Sequence, residues 1–153
     1  MWKLLCIGVV AVEAVALGAS PLTLGIEALG GAAGTMAGVI LVNELNDVLS
    51  DVLDFGEWRG PLMLGLVTGG ITAGASLGVM GAASLLGEEG NPPACVFGAF
   101  LGGLVALFTE PVLYELGGFE VDDPRVEALG MTALLLAPAI GATAGFNWGT
   151  SDP

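Results

Sequence analysis

Three stretches of this chain carry no charged side chain: residues 60–87, 90–109 and 128–151. Each exceeds the roughly 18 residues that an α-helix needs to cross ~30 Å of hydrocarbon. Inside a bilayer every backbone N–H and C=O must be satisfied within the protein, which leaves helices or closed barrels. Barrel strands alternate apolar and polar residues, and these stretches do not. The expectation is an all-α chain, a transmembrane helical bundle of four to five helices.

Composition narrows the field further. Of 153 residues, 54% are hydrophobic and 12% charged, against about 25% charged in a soluble domain. Disordered chains are polar and poor in aliphatics, so disorder is excluded. The 26 glycines do not recur at every third position, which excludes a collagen helix.

The N-terminal part is less uniform. Residues 4–26 are apolar apart from Glu13, and Ser20-Pro21 follows the first part of that stretch. Serine suits a helix N-cap and proline the first helical position, so a helix is predicted from Pro21 to about Leu53. Residues 1–20 fit either a retained first membrane helix or a signal peptide, with Lys3, an apolar Leu4–Leu17 and then Gly18-Ala19-Ser20. Residues 21–153 read as one helical membrane domain. Its breaks are the turn-forming clusters Asp54–Pro61, Gly87–Pro93 and Gly117–Pro124.

The most specific signal is small residues spaced by four. Gly30, Gly34 and Gly38 form one series; Gly70, Gly74 and Gly78 a second, with Gly65 and Gly69 beside it. Ala94, Gly98, Gly102 and Ala106 form a third, and Ala137, Gly141, Gly145 and Gly149 a fourth. Positions four apart line one stripe of a helix. Lipid tails are as apolar as leucine, so membrane helices associate through close backbone approach, which such a stripe permits. The spacing leaves open whether the stripes meet within one chain or between copies.

From Gly30 to Gly149 this spacing resembles glycine-zipper membrane proteins. In general plan it is similar to the Tim17/Tim22-like translocase proteins, with four Gly-striped helices. The charged signature of that family finds no match here. The resemblance implies a compact membrane bundle and carries over no functional residue.

The polar residues offer little chemistry. Without histidine a Ser-His-Asp triad is excluded, and Cys6 and Cys95 are too far apart in sequence for a zinc motif. The Gly-rich stretches lack a P-loop lysine. No cofactor, metal site or enzymatic activity is expected. Sixteen acidic residues against three basic ones give a net charge of −13, which argues against nucleic acid as a partner. The partners expected are the lipid bilayer and other membrane helices, including a second copy.

Three carboxylates near or within spans, Glu27, Glu44 and Glu110, are the candidate ion-binding residues. Glu44 also belongs to an acidic series with Asp47, Asp51, Asp54 and Glu57. That series reads either as the wet face of an amphipathic helix or as a cation-attracting vestibule. Asn43 and Asn147 are placed to bond across helices, and Pro138 to kink the last one. Trp2, Trp58, Tyr114 and Trp148 fall near span ends, as interfacial aromatic residues do.

Two functions follow as expectations. One is a structural or assembly role in a membrane, with helices held by glycine stripes. The other is a small cation channel or transporter subunit using the carboxylates. With five spans, Lys3, Arg59 and Arg125 share a side, which the positive-inside rule makes cytoplasmic, with the C-terminus opposite.

Overall fold

The computed structural model describes residues 20–52, 56–117 and 123–149. The first twenty positions, read as a membrane helix or signal peptide, fall outside this range up to residue 19, as do Trp2, Lys3, Cys6, Glu13 and Asp54. Four long helices account for most of the described residues, with no strand among them: α1 Pro21–Val52, α2 Arg59–Leu86, α3 Pro92–Gly117 and α4 Pro124–Phe146. Each is long and apolar enough to cross a membrane.

The helix ends follow from local chemistry. Ser20 Oγ accepts from the Thr23 N–H at 3.1 Å and Pro21 takes the first helical position. A 3-10 turn, Gly56–Trp58, leads into α2. Gly87, at φ +72, closes α2: its N–H donates to Ser84 O, and that of Glu88 donates to Ala83 O. A left-handed residue at a helix end, where two successive N–H groups return to the last carbonyls, favours glycine. Asn91 Oδ1 caps α3 by accepting from the Ala94 N–H at 3.2 Å. Asp123 caps α4, with Pro124 first in the helix. Pro111 and Pro138 lie inside α3 and α4, and neither ends its helix.

Consecutive helices run antiparallel. α1 packs beside α2 and α4, α3 beside α4 and α2, and α2 touches α4 across the bundle. The interior is made of small side chains: Ala75, Val79 and Ala83 of α2, Cys95 and Ala99 of α3, and Ala142 of α4, closed at one end by Phe146. Large apolar side chains point outward instead, among them Leu29, Met36, Leu77, Phe97, Phe108 and Met131. That inverts the pattern of a water-soluble protein, where an apolar patch of this extent would be exposed to solvent. It suits a multi-pass membrane protein, whose lipid-facing surface is apolar.

The bundle has two ends. One gathers the start of α1, the 87–91 loop and the end of α4. The other gathers the end of α1, the starts of α2 and α4, and the end of α3. Trp148 marks the first end and Trp58 the second, each 70% exposed.

Candidate functional site

The small-residue stripes meet each other within the chain. A Cβ built at Gly34 would fall on the carbonyl oxygen of Gly74, and one at Gly74 on that of Gly34. Gly30 and Gly78 are apposed in the same way; a Cβ at Gly38 would fall on the Gly70 carbonyl, while one at Gly70 would first meet the Val42 side chain. The second pair of helices repeats the device: Gly98 meets Gly141, Gly102 meets the Ala137 carbonyl, and Gly145 meets that of Ala94. The α1–α2 and α3–α4 backbones therefore touch with no side chain between them. Dispersion and Cα–H···O contacts are the attractive forces available at that separation.

Four glycines depart from the stripe pattern. Gly149, expected to extend the fourth stripe, lies beyond the end of α4 at φ +78, with open space where its Cβ would be. It serves a turn, where a left-handed backbone favours glycine. Gly65 and Gly69 likewise have nothing within reach and face outward. Gly31, outside the four-residue series, is the point where α1 meets α4: its Cβ would press on Val79 and on the Ala139 backbone.

The two apposed pairs join at a buried polar cluster. Glu27 of α1 is 0% exposed. Its Oε2 accepts a 2.6 Å hydrogen bond from Asn147 Nδ2, which also donates to the Thr143 carbonyl at 3.0 Å. The cross-helix role expected of Asn147 is thus to hold a carboxyl group; Asn43 is exposed. Glu27 Oε1 and Thr143 Oγ1 are both buried with no hydrogen-bond partner among the described residues. Cys95, buried nearby in α3, points its Sγ at the Ser76 carbonyl, 3.9 Å away.

The three candidate ion-binding carboxylates do not converge. Glu44 lies seventeen residues along α1 from Glu27, about 25 Å at the rise of an α-helix, and is exposed. Glu110 lies at that same far end of the bundle. It is half-buried, its carboxyl laid against Gly130 of α4, where a Cβ would displace it. Among the described residues no three acidic, histidine or cysteine side chains come together to hold a metal ion.

Outside the spans, Asp123 accepts hydrogen bonds from the Arg125 N–H at 2.8 Å and from the Arg125 guanidinium at 3.2 Å. The backbone bond first, and the guanidinium second, hold its carboxyl below the usual aspartate range.

Sequence reasoning missed Gly31, Gly130 and Thr143. Gly31 and Gly130 fall off the four-residue spacing. A threonine in an apolar run carries no signal until its hydroxyl is seen to lack a partner.

No family model matches the chain, and comparison with curated proteins and with solved structures found no match.

Proposed function

We propose that this chain is a multi-pass membrane protein with a structural role: a preassembled four-helix body in the bilayer. The observation that supports this reading most is the reciprocal contact of Gly34 with Gly74 and of Gly98 with Gly141. Glycine in a helix interior sacrifices about 1 kcal/mol against alanine in water. Two helix pairs that accept this repeatedly gain rigid backbone contact and leave a continuous apolar exterior for lipid. With the stripes facing each other inside one chain, assembly with further copies or other membrane helices uses the outer faces.

The orientation follows the charges. Arg59 and Arg125 open α2 and α4 at the same end of the bundle, and we assign that end to the cytoplasm. The end bearing Trp148 then faces the opposite side.

Fractionation of native membranes tests the reading. The protein is expected to stay in the pellet after alkaline carbonate and to be released by detergent alone. Release by carbonate or salt would overturn it.

The second reading, a cation channel or transporter subunit, draws its support from Glu27. It is weakened by the distance separating Glu27 from Glu44 and Glu110. Cation flux into liposomes that falls on Glu27→Gln would favour it, and no flux across a range of cations would remove it.

A further inference from the structure

We infer that the buried oxygens of Glu27 and Thr143 form a binding site for one small monovalent cation of the sodium class, where α1 meets the end of α4. The inference goes beyond a structural role and does not depend on transport.

The starting point is Glu27 Oε1. It is buried and unpartnered among the described residues. Ionised, it is an acceptor that requires a donor or a cation; protonated, it is a donor that requires an acceptor. In neither form does a described residue supply the partner. A buried polar atom left so is destabilising, and within a membrane span no bulk water offsets it.

Thr143 adds an independent observation. Thr35, Thr68, Ser76, Ser84, Thr109 and Thr132 each return their hydroxyl to the carbonyl four residues back, the usual resort of such residues in a helix. Thr143 does not, although it is only 2% exposed; the one other described hydroxyl buried without a partner is that of Thr72 in α2. The place of Thr143 on α4 sets which helix it faces. Ala139 meets Gly31 of α1 and Asn147 meets Glu27. Residues 139, 143 and 147 share one face, so Thr143 lies between those two contacts and faces α1. The Asn147 amide, bonded to both Glu27 Oε2 and Thr143 O, fixes the two elements together.

Charge selects a cation as the occupant. Arg59 and Arg125 stand at the other end of the bundle; Asn147 and Arg125 are separated by about 33 Å along α4. Among the described residues, the charge that acts on Glu27 is negative: exposed Glu88 of the 87–91 loop. A carboxylate and a hydroxyl are hard oxygen donors suited to alkali and alkaline-earth ions. One buried carboxylate balances one positive charge, which selects a monovalent ion over a divalent one in apolar surroundings. Glu27 lies less than two turns from the start of α1, so the ion enters from the Trp148 end without crossing the bundle.

Equilibrium binding of radiolabelled sodium to the purified full-length protein, at alkaline pH and constant ionic strength in choline chloride, tests the site. The expected result is saturable binding of one sodium per chain, displaced by unlabelled sodium and not by choline. Glu27→Gln is expected to abolish it. Thr143→Val, a near-isosteric change that leaves the fold intact if Glu27→Gln does not, is expected to weaken it about ten- to a hundredfold. Glu127→Gln, at the opposite end, is expected to leave it unchanged. Absence of saturable binding to folded wild-type protein would overturn the inference and assign the position to a buried water. Calcium bound in place of sodium, or sodium binding unaffected by Thr143→Val, would overturn it equally.

Discussion

Gly34 and Gly74 lie backbone to backbone: the Cβ that either lacks would clash with the carbonyl oxygen of the other. The obstacle is main chain, which cannot rotate away as a side chain can. Gly34→Ala is therefore expected to force α1 and α2 apart and to destabilise the bundle by about 1–3 kcal/mol, in the range of overpacked cores. Gly69→Ala, next to Gly70 on α2 but with open space around it, is expected to be neutral or stabilising by up to about 1 kcal/mol. Denaturation of the two variants in detergent checks the contrast; equal effects would mean that helix propensity, and not contact, governs these positions.

The α3–α4 pair should respond separately. Gly98→Ala places a methyl group against Gly141 O, at an interface distinct from that of Gly34. Distant sites with no shared partner combine additively within about 0.5 kcal/mol. The double variant Gly34→Ala/Gly98→Ala is expected to lose the sum of the two single losses. A loss far from that sum would show the two helix pairs to be coupled through the contacts that join them.

The Glu27–Asn147 bond predicts an asymmetry. Asn147→Leu removes the donor to Glu27 Oε2 and leaves a buried carboxyl with neither oxygen hydrogen-bonded to a described residue, a loss of about 1–3 kcal/mol or more. Removing both partners spares that penalty. Glu27→Leu/Asn147→Leu is expected to be more stable than Asn147→Leu alone, a rescue visible in thermal melts as a higher midpoint for the double variant.

Asp123 sets a pH dependence at the start of α4. Its carboxyl is held below the usual aspartate range by Arg125. A carboxylate whose folded-state pKa is depressed stabilises above its unfolded pKa, and the benefit is lost as pH falls through the folded value. Asp123→Asn retains the capping oxygen and removes the titration. The wild type is expected to lose stability in strong acid, below the ordinary aspartate range, where Asp123→Asn changes less. Parallel acid melts of the two proteins would assign the dependence to other carboxylates.

Much of the architecture was legible because membrane helices obey local rules. Ser20-Pro21 marked the start of α1, and Gly87 the end of α2, through capping groups adjacent in sequence. The uncharged stretches marked the spans because hydrocarbon excludes charge along the whole of a segment. The spacing of Gly30, Gly34 and Gly38 marked one face of one helix, since that face depends on helical period alone.

What lies across from a residue is not encoded by its period. The spacing could not tell Gly74 of the same chain from a glycine of a second copy; the antiparallel order of α1 and α2 decided it. Gly149 continued the four-residue pattern in sequence yet fell beyond the helix, because α4 ends at Phe146. Glu27, Glu44 and Glu110 were alike as acidic residues near spans. Only tertiary structure buried the first against Asn147, exposed the second and laid the third on Gly130. Helix formation and membrane depth are local properties of the chain, whereas burial and the partners of a polar atom depend on which other helix arrives beside it.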